Sequence, residues 1–178
     1  MTAPIDGRAA TGCEPQPYGS AAAVDRAISD AARAAFRTDR SLSVQARVKQ
    51  EYFRRFLSRV FSEGPHSDWI LKGGTGILAR AASARSTLDV DLFRARQTLD
   101  GALDDLKRLA AIDLGDFFRF AYRRHDPVVT GEEQDYTDGY RVVFDVYVGG
   151  DQKEPLHVDL VWASSSPTRS RSPHRLTR

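Results

Sequence analysis

Two carboxylates one residue apart, Asp89 and Asp91, stand in the run Leu88-Asp89-Val90-Asp91-Leu92, downstream of a glycine pair in Leu71-Lys72-Gly73-Gly74-Thr75. The side-chain period of two along a strand puts both acids on one face and Leu88, Val90 and Leu92 on the other. Like charges that close raise each other's pKa, so on a partly buried sheet a cation between them relieves the conflict. Oxygen ligands favour magnesium. Such an ion can bridge nucleotide phosphates and neutralise charge that develops during an in-line displacement at phosphorus.

The glycines suit the same chemistry. The apolar run Trp69-Ile70-Leu71 ends at Gly73-Gly74, and residues 76–81 read as a helix, so the pair is expected at a strand-to-helix turn. Glycine admits a ligand to bare backbone, and amides at such a turn and at the following helix N-terminus suit a triphosphate. Thr75 is placed to cap that helix or to donate its hydroxyl to a phosphate. A third carboxylate would complete the site. Asp159 is the first choice, in the run Leu156-His157-Val158-Asp159-Leu160-Val161, where His157 and Val161 share its face; Asp145, in Val143-Phe144-Asp145-Val146-Tyr147, is the rival. In a two-metal arrangement the third acid would orient or activate the attacking hydroxyl. Alone, a Gly-Gly turn is loop punctuation and an Asp-x-Asp strand is a solvated face. Their order along the chain carries the reading: strand, glycine turn, helix, strand with two acids, later strand with one more.

With these residues in place, the chain resembles the nucleotidyltransferase fold of DNA polymerase beta type, and within it the AbiEii-like and MenT-like toxins of bacterial toxin–antitoxin systems. The match rests on Leu71-Lys72-Gly73-Gly74-Thr75 and on Arg85-x-Thr87-x-Asp89-x-Asp91, and it covers about residues 57–161. The resemblance implies that Lys72, Gly73, Gly74 and Thr75 contact the incoming nucleotide, that Asp89 and Asp91 hold Mg2+ with Asp159 as third acid, and that Arg80 and Arg85 lie near the triphosphate or RNA. In some relatives a hydroxyl at the place of Thr87 is phosphorylated by a kinase-like antitoxin, which would set negative charge beside Asp89 and silence the enzyme. The family also carries a lysine and an aspartate on a helical segment after the third acid. Residues 163–175 here contain no lysine and no apolar periodicity.

The leading expectation is therefore a magnesium-dependent nucleotidyltransferase toxin that moves a nucleoside monophosphate from NTP to an RNA acceptor, the tRNA 3′ end being favoured by the resemblance, with a cognate antitoxin as partner. Two alternatives stay open: transfer to a protein hydroxyl, and a truncated, catalytically silent domain that binds nucleotide, RNA or antitoxin.

Composition sets the bounds. The 178 residues suit one domain; 41% hydrophobic and 28% charged residues are ordinary for a globular chain, and the formal net charge is only +2. Basic residues cluster locally, in Arg54-Arg55, Arg123-Arg124 and four arginines from Thr168 onward, where they could meet RNA phosphates. Cys13 is alone, which removes disulfide and zinc frameworks and fits a reducing cytoplasm. No run reaches membrane-spanning length, and no Gly-x-Ser-x-Gly elbow is present.

The elements that must hold the site follow from periodicity. Residues 1–20 read as a flexible lead, 21–162 as the nucleotidyltransferase-like domain and 163–178 as a disordered basic tail. Residues 21–36 suit a helix with Ile28, Ala32 and Phe36 on one side. Ser43 caps a stronger helix, whose stripe of Val44, Val48, Tyr52, Phe56 and Val60, widened by Phe53, Leu57 and Phe61, is core rather than a base-stacking platform; Gly64-Pro65 ends it. Leu99, Leu103, Leu106 and Leu109 mark another helix, with Asp104, Asp105, Lys107 and Arg108 expected in solvent. Residues 117–122 and 140–148 read as strands around an acidic loop through Glu132, Glu133 and Asp135. His157 on the site face is more readily a structural hydrogen-bonder than a ligand, and His66, His125 and His174 fall in expected loops. The fold class is α+β, a small mixed sheet packed with helices.

Overall fold

Among the described residues, three helices each begin at a hydroxyl cap. Ser20 Oγ accepts from Ala23 N at 3.2 Å to open α1 (Ala21–Thr38), Ser43 Oγ accepts from Ala46 N at 3.1 Å to open α2 (Val44–Val60), and Thr98 Oγ1 accepts from Gly101 N at 3.2 Å to open α3 (Leu99–Ala110). Each cap satisfies an amide that has no partner within the helix. The computed structural model describes residues 18–64, 67–72, 90–94, 97–128 and 139–161. The expected helix at 76–81, the acidic loop at 132–135, residues 1–17 of the lead and the tail beyond 161 lie outside them.

Six strands form one mixed sheet among the described residues: β1 (Trp69–Lys72), β2 (Val90–Arg94), β3 (Phe118–Val128), β4 (Gly139–Val148), β5 (Asp151–Gln152) and β6 (Leu156–Val161). The spatial order is β1-β2-β6-β4-β3, with β5 beside β4. Only β2 and β6 run parallel; the other pairs are antiparallel. The chain is thus an α+β fold, as its periodicity predicts.

Alternation sorts the sheet into two faces. Leu92, Val142, Phe144, Val146, Leu156, Val158 and Leu160 are buried with Phe53, Phe56 and Val60 of α2 and Leu103, Leu106 and Leu109 of α3 in one core. Phe56 meets Phe120 and Phe144 with ring centroids 5.4 and 5.1 Å apart, so the aromatic stripe of α2 is indeed core. On the opposite, open face, which no helix covers among the described residues, β6 shows His157, Asp159 and Val161, all half-buried.

Two glycines make close approaches possible. Gly149 turns β4 toward β5 at φ 61°, and a Cβ there would come within 2.6 Å of the Ala21 Cβ. Gly139 opens β4 beside β6, where a Cβ would meet the Leu160 carbonyl at 2.9 Å. The loop leading into β6 is then tied down: Lys153 Nζ bonds Asp25 of α1 and Lys49 Nζ of α2 bonds Glu154, each at 3.1 Å.

Three expectations need correction. Asp105 is not a solvated helix charge: it accepts from Trp69 Nε1 at 3.0 Å and pairs with Arg94 and Arg108, because α3 lies against the end of β1. The third strand does not stop at residue 122 but runs to Val128 after an irregularity between Tyr122 and Arg124. His125 therefore sits on a strand, with Tyr122 Oη 2.6 Å from its Nδ1 and its ring against Tyr140.

Candidate active site on the open face of the sheet

Asp91 and Asp159 meet because β2 and β6 are parallel neighbours in a register that sets one opposite the other. Residues paired across adjacent strands project from the same side of the sheet, with the strands about 4.8 Å apart. Both acids are half-buried, and both flank core positions: Leu92 follows Asp91, while Val158 and Leu160 flank Asp159. The apolar neighbours that anchor each strand to the helices thereby fix the direction of the carboxylates.

The register extends this contact into a charged row. Lys72 of β1 pairs with Asp91, Asp91 with Asp159, Asp159 with Arg141 of β4, and Arg141 with Asp126 of β3. Arg141 grips Asp159 with a two-pronged bond, Nε to Oδ1 at 2.9 Å and Nη2 to Oδ2 at 3.0 Å. Planar forks of this type are the strong form of the guanidinium–carboxylate bond. Arg141 was missed at the level of sequence. It occupies an alternate position of a recognisable strand, but the register that carries it to Asp159 joins segments far apart in the chain.

Asp145, the rival third acid, is on the same strand as Arg141 but four residues farther on, about 14 Å along the strand at the usual rise. There it is held by Arg123, with Nη2 2.6 Å from Oδ1, and by Gln152 Nε2 at 3.3 Å. Of the two candidates, Asp159 is the one beside Asp91. His157 is on the same face two residues before Asp159, in register with Val143.

Asp89, Gly73, Gly74, Thr75, Arg80, Arg85 and Thr87 lie outside the described residues. The ends of their segment are placed nonetheless. Lys72 closes β1 and Val90 opens β2, on neighbouring antiparallel strands. Among the described residues no three His, Cys, Asp or Glu side chains converge as a metal cluster. Asp91 and Asp159, in register on neighbouring strands, offer hard oxygen donors, the type that suits a divalent cation such as magnesium.

A second Arg–Asp pair lies under the sheet and has a different task. Arg59 of α2 is fully buried; its Nη2 bonds Asp116 Oδ1 at 2.6 Å and the Phe118 carbonyl at 3.0 Å, its Nη1 the Arg55 carbonyl at 2.8 Å, and its Nε the Ile112 carbonyl at 3.0 Å. Burial alone would push the Asp116 carboxyl up, but hydrogen bonds and charge from Arg59 outweigh it and hold the group below its ordinary value. The pair ties α2 to the start of β3.

Among the described residues, no helix is long and apolar enough to cross a membrane. No curated protein matches the chain. The family model described as nucleotidyl transferase AbiEii toxin, Type IV TA system, matches residues 55–177. That span begins inside α2, takes in every strand of the sheet together with Asp89, Asp91 and Asp159, and continues past residue 161, where the recognisable motifs end. With more than half of its length matched and two of the expected acids side by side on a mixed sheet, the chain belongs to the AbiEii nucleotidyl transferase toxin family.

Proposed function

We propose that the protein transfers a nucleoside monophosphate from an NTP to an RNA hydroxyl, with the tRNA 3′ end as the acceptor, and that it does so with Mg2+ held by Asp91 and Asp159 together with Asp89. The observation that supports this most is the register of Asp91 against Asp159 in a member of a nucleotidyl transferase family. In the transfer, the acceptor oxygen bonds to the α-phosphorus, the bond from that phosphorus to the bridging oxygen breaks, and pyrophosphate leaves. When bound, the divalent ion supplies neutralising charge to the phosphate oxygens. Asp159 accepts the hydrogen bond of the attacking hydroxyl and takes up its proton. Lys72, Arg80 and Arg85 balance the triphosphate, while Gly73, Gly74 and Thr75 offer backbone amides and a hydroxyl to it. Thr87 is the regulatory hydroxyl and a cognate antitoxin the partner; phosphate on Thr87 would repel nucleotide from the same acids.

The test uses the full chain with each labelled NTP, Mg2+ and tRNA. Label on the tRNA 3′ end that disappears on chelation is expected. An unlabelled RNA pool at stoichiometric enzyme would overturn the RNA reading, and label on protein would redirect it to a protein hydroxyl.

A further inference from the structure

The charged row on the open face contains a cation that the transfer chemistry above leaves without a task. Arg141 engages both oxygens of Asp159, the same atoms that a divalent ion would coordinate. The partners differ in access: the Arg141 side chain is 50% exposed and that of Asp159 21%. The carboxylate is thus fixed on the sheet while the guanidinium lies at the solvent side, where it can move without disturbing the core. Its register neighbour away from Asp159 is Asp126, which is paired with Arg124.

We propose that Arg141 competes with the divalent cation for Asp159 and, once displaced, turns to the nucleotide's polyphosphate. The inference rests on the reading of Asp91 and Asp159 as the metal site. Neighbouring carboxylates on adjacent strands repel, and a guanidinium relieves that repulsion in the metal-free protein. Direct coordination needs the Asp159 oxygens, and a dication beside the guanidinium repels it. The displaced fork then requires an anion that accepts two parallel N–H bonds, and a phosphate group has that geometry. Metal and nucleotide loading are consequently coupled: each makes the departure of Arg141 from Asp159 more favourable for the other. An arginine serves this role better than a lysine, because its fork matches carboxylate and phosphate alike.

The experiment measures Mn2+ binding to the full chain, by the loss of free-ion paramagnetic signal, for the wild type, Arg141→Met, Arg141→Gln and Asp159→Asn. Without nucleotide, both Arg141 variants bind Mn2+ about two- to fivefold more tightly than the wild type, the scale set by losing an ion pair at a half-exposed site. With a non-hydrolysable NTP analogue present, the wild type gains Mn2+ affinity and the variants gain less. Arg141 variants that bind Mn2+ no more tightly than the wild type, while Asp159→Asn still weakens binding, would overturn the competition and leave the metal site standing. Absence of Mn2+ binding by the wild type and the Arg141 variants at millimolar ion would overturn the metal site and the competition together.

Discussion

Two Arg–Asp forks occupy opposite sides of one sheet: Arg59 holds Asp116 end-on through Nη1 and Nη2, and Arg141 holds Asp159 side-on through Nε and Nη2. Arg59 and Asp116 lie beneath it, fully buried and 14% exposed, and every remaining donor direction of Arg59 that bonds finds a backbone carbonyl. Arg141 and Asp159 lie on the open face, where the guanidinium is half in water. Identical chemical groups thus hold a fold together in one place and leave a carboxylate within reach of ligands in the other. The difference lies in what each strand neighbour faces: Phe118 and Phe120 carry the first pair into the core, and the alternation of β6 turns Asp159 away from it.

The sharpest way to break the comparison is to remove one member of the buried pair. Asp116→Ala leaves the Arg59 guanidinium buried without its counter-charge, a change that costs about 3–5 kcal/mol in comparable sites. Urea denaturation at neutral pH should show a loss of that size, and a midpoint within experimental error of the wild type would remove the structural role of the pair. Acid offers the same test without a new cavity. The folded carboxyl of Asp116 titrates below its ordinary value, so its stabilisation is complete above the unfolded pKa of about 3.9 and is lost as pH falls through the lower folded value. Asp116→Asn, although less stable near neutrality, should have a shallower decline in stability over that acid window.

On the open face the corresponding change acts on chemistry. Asp159→Asn keeps the shape of the side chain but removes the charge that the proposed site needs, and transfer should fall by at least roughly a hundredfold, the upper end of what outer groups around a metal contribute. Its thermal midpoint should stay near that of the wild type. Asp145→Asn is the control on the same face: it sits beside Arg123 and Gln152, several residues along from the row, and should retain most activity. Equal losses from the two substitutions would remove the distinction between Asp159 and its rival.

How much of this was legible in the sequence follows the same division between local and distant order. The cap at Ser43 and the apolar stripes of α2 and α3 depend on residues a few positions apart, and they appear where the sequence places them. The facing direction of Asp91 and Asp159 was equally readable, since a period of two needs only the neighbouring residues. Their meeting was not, because it depends on the parallel register of two strands separated by α3, β3, β4 and β5. Arg59 was hidden for a related reason: it lies at the border of an apolar stripe, and only the return of Asp116 beneath it makes its burial tolerable. The second half of β3 lost its signal because an edge strand that extends beyond the core has no apolar face, so Arg123, Arg124 and Asp126 read as loop; Pro127 is tolerated there for the same reason.

The smallest expected effect is also the one that most directly separates the two pairs. Arg141→Met removes a two-bond fork to a carboxylate, as the buried pair also has, yet the lost guanidinium was half hydrated, and Asp159 left behind regains water where Arg59, robbed of Asp116, could not. Exposed ion pairs are worth about 0.2–1 kcal/mol, and salt screens part of that. The methionine keeps an unbranched stem against the sheet, so little packing is lost. Urea midpoints for Arg141→Met should therefore shift by under about 1 kcal/mol, with the shift shrinking as salt is added. A loss comparable to that of Asp116→Ala, unchanged in high salt, would mean that the open-face pair is a second structural tie, and Asp159 would then be bound too firmly to exchange its partner for a metal ion.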